Sequence, residues 1–309
     1  MSAPSPSTAP ARLRLAFRFA LAAGLSAVTS LSAQTPSEVA VELLAADRAF
    51  AAAAGDAGLL SALSGMFAAD VILPAPGGMF VHGKDAALDL LRTNPANEGS
   101  RASWAPLRAG VSADGLHGFT FGYMTIQRPD STEALAKYMT YWERQSEGWR
   151  ARAWKRAPRD PAEISGQMMD PALPIQLVEP ESDPAIVRAH EESLAEAERA
   201  FSRDAQSIGL DAAFVRYGSP DAVNMGPPNG PYLVGAGAIG RMVGEGEPAN
   251  GSSVSWGPDE GVIVASSGDL GITFGLIRSN DPASDATPFP FYTIWGRASP
   301  DAPWRYVAE

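Results

Sequence analysis

The sequence predicts an α+β fold in which one domain is built twice in tandem, after an N-terminal signal peptide. Three observations carry this prediction. Short motifs recur at a nearly constant spacing, each copy runs from helices into a meander of strands, and the chain opens with a basic and then an apolar segment.

Residues 1–33 are typical of a secretory signal peptide. Three arginines and no acidic residue are followed by an apolar stretch at 19–31, and small side chains at 30, 32 and 33 offer a cleavage region. The stretch is too short to span a bilayer comfortably. We therefore expect a periplasmic or secreted bacterial protein with no stable membrane anchor after signal cleavage, with an uncleaved anchor as the alternative.

The repeat is read from motifs that recur in the same order. Residues 48–50 recur as 199–201, at an offset of 151, and residues 140–144 correspond to 293–297, at an offset of 153. An offset that drifts by so little indicates a duplicated unit with small changes at turns. We predict a first α+β domain at 35–156, a proline-rich linker at 157–182 and a second domain at 183–309.

Each copy begins with a capped helix. Thr35 precedes Pro36 and lies three residues before Glu38, a capping-box arrangement, and Asp183 precedes Pro184 in the second copy. Apolar residues spaced along 59–66 and 210–217 then predict a second, one-sided helix in each copy.

The rest of each copy predicts a sheet. Hairpins are expected at 71–81 and 223–234 around proline- and glycine-rich turns, followed by short helices at 85–93 and 236–243. The longer strands that follow are predicted at 102–112, 118–127, 136–144 and 149–156, and again at 253–265, 270–278, 289–297 and 304–308. Residues 175–178 are a candidate edge strand.

Composition excludes several classes of function. The net charge is −11, which disfavours binding to nucleic acid, and there is no cysteine, which excludes disulfides, thiolate metal sites and a cysteine nucleophile. The histidines match no metal-ligand spacing. No metal and no cofactor are predicted.

Two stretches carry a resemblance to a known superfamily. The strand start Asp70-Val71-Ile72 and the hairpin that leads into residues 82–86 resemble the nuclear transport factor 2-like superfamily, and within it the SnoaL-like and domain-of-unknown-function 4440 type, over residues 38–156 and 187–309. The resemblance implies a strongly curved antiparallel sheet wrapped around helices, a cone-shaped α+β barrel with a pocket at its open end. It also implies pairing through the outer face of the sheet, here as an intrachain pseudo-dimer.

The resemblance covers enzymes and non-catalytic binders, so it leaves the function open. Ketosteroid-isomerase relatives carry a catalytic aspartate where this chain has Ala75 and Gly226, and a second acid where it has Thr140 and Thr293. Because proton transfer needs a base and a charge-stabilising donor, no catalytic residue is predicted. The acidic residues beside Arg48 and Arg199 are expected to form structural salt links to the sheet.

Strand alternation places candidate ligand-binding residues on one face of each sheet, which the resemblance directs towards the pocket. An aromatic pocket with threonine hydroxyls suits a small apolar molecule, whereas core packing is the alternative for the tryptophans. The candidates are Trp104, Tyr123, Tyr138, Thr140 and Trp142 in the first copy, and Trp256, Phe291, Thr293 and Trp295 in the second.

Three functions remain open. The first is an exported protein that binds a small apolar ligand without classical catalysis. The second is a ketosteroid-isomerase-like, dehydratase-like or hydrolytic enzyme with an atypical site in the first domain. The third is an envelope module that binds other proteins through its outer surfaces.

Overall fold

The structure is a computed structural model that describes Met1 and residues 34–161, 164–227 and 229–309. Within these ranges the chain is α+β, with six α-helices and two mixed sheets. We call residues 34–161 the first half and residues 183–309 the second half. Apart from Met1, the predicted signal peptide lies outside the described residues.

The first half follows the predicted order of elements. Its elements are helices α1 (Pro36–Asp56) and α2 (Leu59–Met66), strands β1 (Phe67–Ala75) and β2 (Met79–His82), helix α3 (Lys84–Arg92), and strands β3 (Arg101–Val111), β4 (His117–Gln127), β5 (Glu133–Gln145) and β6 (Gly148–Pro158). The capping box forms as predicted, because Glu38 N–H donates to Thr35 Oγ1 at 3.3 Å and Thr35 N–H donates to Glu38 Oε2 at 2.7 Å.

The second half repeats this order with shorter strands. Its elements are helices α4 (Pro184–Ile208) and α5 (Leu210–Tyr217), strands β7 (Gly218–Asn224) and β8 (Leu233–Val234), helix α6 (Ala236–Val243), and strands β9 (Val254–Ser255), β10 (Gly261–Val264), β11 (Leu270–Ser279), β12 (Phe289–Gly296) and β13 (Arg305–Ala308). The strand expected at 253–265 is interrupted, because a turn closed from Gly261 N–H to the Pro258 carbonyl takes the chain out of the ladder.

The sheets are mixed rather than purely antiparallel, which corrects the expected sheet type. The strand orders are β2-β1-β6-β5-β4-β3 and β10-β11-β12-β13-β7-β8, with β9 added beside β11. The first and last long strands of each half, β1 with β6 and β7 with β13, pair in parallel. This pairing brings residues from opposite ends of each half together, which local sequence patterns do not reveal.

The two sheets pack against each other through their outer faces, as expected for an intrachain pair. A shared apolar cluster includes Phe121 and Met139 of the first half and Phe274 and Tyr292 of the second. The Tyr292 hydroxyl donates to the Met139 carbonyl at 2.6 Å. The two halves therefore share an apolar cluster between their sheets, and each half also has a core of its own.

The linker lies against the edge strand of the first half and forms no strand of its own. Met169 N–H donates to the Leu107 carbonyl at 2.7 Å, and Ala172 N–H donates to the Ala109 carbonyl at 3.0 Å. The candidate edge strand at 175–178 is absent, and Ile175 is fully exposed to solvent. None of the helices in the described part of the chain is long and apolar enough to cross a membrane.

Candidate functional site

The second half contains a cavity of about 840 Å³. This volume is within the range of about 300–1,000 Å³ that is typical of small-molecule sites. Helices α4, α5 and α6 and the inner face of the sheet form its wall, which is predominantly apolar. The apolar residues of that wall include Phe201, Leu210, Phe214, Val243, Val254, Trp256 and Phe291.

An aromatic cluster centred on Phe201 holds the wall in place. The ring of Phe201 lies 4.8 Å from that of Phe214, 4.9 Å from that of Trp256 and 5.0 Å from that of Tyr217. Edge-to-face and stacked contacts at these separations stabilise fixed ring orientations. The cavity therefore has a rigid apolar side.

A buried carboxylate, Glu198, lies at the inner end of the cavity. Its Oε1 accepts a hydrogen bond from Trp256 Nε1 at 2.7 Å, and its Oε2 accepts from Thr273 Oγ1 at 2.6 Å and from Trp295 Nε1 at 3.0 Å. Burial raises the pKa of Glu198, while the donated hydrogen bonds act in the opposite direction. Both oxygens already have partners, so Glu198 organises the cavity floor.

Asp47 occupies the same position in the first half. Its Oδ1 accepts from Trp104 Nε1 at 2.6 Å and its Oδ2 accepts from the Tyr138 hydroxyl at 2.8 Å. Burial raises the pKa of Asp47 as well. The expected salt links to the sheet through the neighbouring arginines are wrong, because these carboxylates point inward and Arg199 instead pairs with Glu196 on its own helix, at 3.7 Å.

A second carboxylate, Glu309, lies in the cavity wall next to β13. Its Oε1 accepts from Asn224 Nδ2 at 2.7 Å. Burial raises the pKa of Glu309 to about 7, against opposing effects from the Asn224 hydrogen bond and the Lys155 ammonium. A carboxyl group with this pKa exchanges its proton near neutral pH.

The first half contributes two charged residues, Lys155 and Arg156, to the lining of the same cavity. Lys155, on β6, lies among the lining residues, and its Nζ donates to the Tyr292 carbonyl at 3.2 Å and lies 4.1 Å from the centre of the Tyr292 ring. Burial lowers the pKa of Lys155 to about 8. The β1–β2 hairpin, Pro74–Gly78, also lines the cavity, so both halves build the site.

Side chains fill the corresponding space in the first half. The repeat aligns Asn224 with Leu73, Phe291 with Tyr138 and Glu309 with Trp154. Leu73, Tyr138 and Trp154 are buried in the first-half core, and none is more than 3% exposed. Large apolar groups therefore stand where the second half has an open space with polar groups in its wall.

The predicted ligand-binding residues fall into three groups. Trp256, Phe291 and Thr293 line the cavity, and Trp295 is buried behind it as a partner of Glu198. In the first half, Tyr123 lies on the opposite face of the sheet from Tyr138, because Tyr138 pairs with Gly122 and Tyr123 pairs with Lys137. The remaining four are packed inside the first half: Trp104, Tyr138, Thr140 and Trp142.

Two carboxylates of the wall were not among the predicted residues. Ala75 and Gly226 occupy the wall, and Glu198 and Glu309 lie there as well. The alternative of an enzyme site in the first domain stays a prediction. In the described residues, no group of three or more histidine, aspartate or glutamate side chains is arranged to hold a metal ion.

Fold and cavity together define an α+β protein whose two halves repeat one order of elements. Solved structures similar to this chain include a ketosteroid isomerase-like protein from Erwinia carotovora atroseptica (17% identity, TM-score 0.33, 40% of this chain and 98% of that one). Others are a nuclear transport factor 2-like protein with a cystatin-like fold from Novosphingobium aromaticivorans (19%, 0.32, 41% and 85%) and one of unknown function from Pseudomonas putida (15%, 0.33, 41% and 92%).

Each of these matches covers about 40% of this chain. At such identities the similarity concerns the fold and assigns no activity. No protein-family model matches the sequence, and no curated protein matches it.

Proposed function

We propose that this protein binds a small, mostly apolar molecule in the cavity of its second half, and that its first half is a packed partner that completes the cavity wall. The observation that carries the proposal is the contrast between an open space of about 840 Å³ in one half and a filled core in the other. A mostly apolar wall favours an apolar ligand because binding removes apolar surface of both partners from water.

Filling the cavity tests this proposal. The probe is N-phenyl-1-naphthylamine, a neutral apolar dye whose fluorescence rises in apolar surroundings. Val243→Phe and Val254→Phe, alone and together, place extra volume inside the wall and are expected to weaken dye binding by about tenfold or more. Val41→Phe is the matched control, because Val41 is 64% exposed on α1 and lies outside the cavity.

Dye binding that is unchanged in the double variant would place the binding site elsewhere. A folded wild-type protein that leaves the dye unbound would remove the proposal altogether. Circular dichroism of each variant separates lost binding from lost folding.

We also propose that the protein is exported to the periplasm or beyond, which the basic and apolar sequence of residues 1–33 supports. Full-length protein expressed in a bacterium is expected in the periplasmic or culture fraction, with an N-terminus close to residue 34. Recovery from the cytoplasm with the first residues still attached would contradict export.

A further inference from the structure

Two charged groups face the same cavity without pairing with each other. No ion pair within 4.0 Å joins the Lys155 ammonium to the Glu309 carboxylate. Among the described residues, Glu309 Oε1 accepts from Asn224, whereas Oε2 has no hydrogen-bond partner. Lys155 Nζ donates to one carbonyl, that of Tyr292, which leaves ammonium hydrogens available. A free acceptor and a free donor thus face an otherwise apolar space.

The polar groups around Glu309 occur in the second half and have no polar counterparts at the equivalent positions of the first half. At the position of Glu309 the first half has Trp154, and at the position of Asn224 it has Leu73. Polar side chains in a mostly apolar wall lose hydration, and this loss has to be offset by hydrogen bonds. From the residues that the structure describes, the Glu309 carboxylate accepts one such bond, so its second oxygen is suited to a partner that arrives with the ligand.

We propose that Glu309 and Lys155 together recognise a hydroxyl group, so that the ligand is an apolar alcohol or phenol. The hydroxyl donates to Glu309 Oε2 and accepts from Lys155 Nζ, while the apolar body packs against Phe201, Trp256 and Phe291. This inference rests on the proposed function, since it needs the cavity to take a ligand.

Other ligand groups fit the pair less well. At a pH above about 7, where Glu309 is ionised, a carboxylate would accept from Lys155 but would be repelled by Glu309, and an ammonium would be repelled by Lys155. Under the same conditions a carbonyl accepts but cannot donate, which leaves Glu309 Oε2 unpaired. A hydroxyl is both donor and acceptor, so one atom satisfies both side chains.

The test compares three ligands that share one ring system. The first, 2-naphthol, donates and accepts. The second, 2-methoxynaphthalene, keeps the oxygen as an acceptor but has no hydroxyl hydrogen to donate. The third, naphthalene, lacks the methoxy group, so it shows whether weak binding of the second ligand comes only from the size of its methyl group. Titrations are followed by ligand fluorescence or calorimetry. We expect 2-naphthol to bind about tenfold or more tightly than either of the other two ligands, because a hydrogen bond to a charged group contributes about that much affinity.

Two variants test whether Glu309 and Lys155 cause the preference for 2-naphthol. Glu309→Gln and Lys155→Met are each expected to reduce the preference for 2-naphthol several-fold while leaving naphthalene binding unchanged, and retained naphthalene binding shows that the cavity has folded. Glu147→Gln is the control, because the side chain of Glu147 is 80% exposed in the first half. It should keep the wild-type preference.

The outcomes separate the two proposals. If naphthalene and 2-naphthol bind equally well, or if both variants keep the wild-type preference, hydroxyl recognition is overturned and the apolar cavity stands. If none of the three ligands binds wild-type protein, the proposed function fails, and hydroxyl recognition fails with it.

Discussion

The two halves of this protein share one chain topology and differ in what occupies their interior. In the first half, Tyr138 and Trp154 complete an apolar core, whereas the second half has Phe291 and Glu309 at these positions and encloses a cavity. The difference shows that two halves with the same order of elements can differ in how their interiors are filled. The closely packed half lends its surface as part of the wall of the other half's cavity.

The two halves also share one feature that resembles a ligand-binding site. Each holds a buried carboxylate, Asp47 or Glu198, that accepts hydrogen bonds from indole groups. Because the filled half and the open half both keep this arrangement, it serves the fold in both. The groups that differ between the halves, Asn224 and Glu309, are therefore the stronger candidates for ligand recognition.

The largest expected effect compares Tyr138→Ala with Phe291→Ala, which change equivalent positions. Tyr138 is 1% exposed and donates to Asp47, so its truncation leaves a void and an unpaired carboxylate oxygen. We expect a loss of about 3–5 kcal/mol in the free energy of unfolding. Phe291 already borders an open space, so Phe291→Ala should cost only about 1 kcal/mol.

Urea denaturation followed by tryptophan fluorescence measures both values. Equal losses at the two positions would mean that the interiors are equally packed, and the contrast between the halves would fail.

A smaller effect is expected from pH, and Glu309 in the second half contributes to it. Burial raises the pKa of Glu309 from its usual 4.5 to about 7, so between these values the folded protein holds a proton that the unfolded chain has released. Stability should therefore fall as pH rises from 4.5 to 7 and level off above it. Glu309→Gln should gain up to about 3 kcal/mol relative to wild type across this range, at about 1.4 kcal/mol for each pKa unit.

Lys155 is expected to change the free energy of unfolding with pH in the opposite direction, and at higher pH. Burial lowers its pKa from 10.5 to about 8, so between these values the unfolded chain holds a proton that the folded protein has released, and stability should rise with pH. Urea midpoints measured from pH 4 to pH 10 check both slopes. Parallel profiles for wild type and Glu309→Gln would contradict the placement of this carboxylate in the cavity wall.

The repeat and the helix caps made much of the fold predictable. Thr35 and Asp183 start the long helices as expected, and α6 covers residues 236–243 as predicted. The parallel pairing of β1 with β6 was missed, since it joins strands that are distant in sequence. Tyr123 was assigned to the wrong face because its position depends on the register between β4 and β5.

The site was less predictable because its polar groups resemble surface residues. Asp47 and Glu198 are flanked by arginines, yet each interrupts a buried apolar stripe, between Leu43 and Ala51 and between Leu194 and Phe201. An acidic residue at a position spaced like the buried residues of its helix indicates that its side chain is buried as well. For Glu309 the signal was the exchange of Trp154 for a carboxylate between the copies. Lys155 offered no such signal, since it reaches the cavity only through the packing of one sheet on the other.

The central claim is that the ligand binds in the cavity of the second half, whose wall the first half completes, and not within the core of the first half. A crystal structure of the full chain soaked with 6-bromo-2-naphthol tests it directly, because anomalous scattering locates the bromine without reference to the phases of the protein. We predict one bromine position, in the cavity bounded by Trp256, Phe291 and Glu309. A bromine between Trp104 and Trp142 in the first half, or a second half left empty at saturating ligand, would contradict the claim.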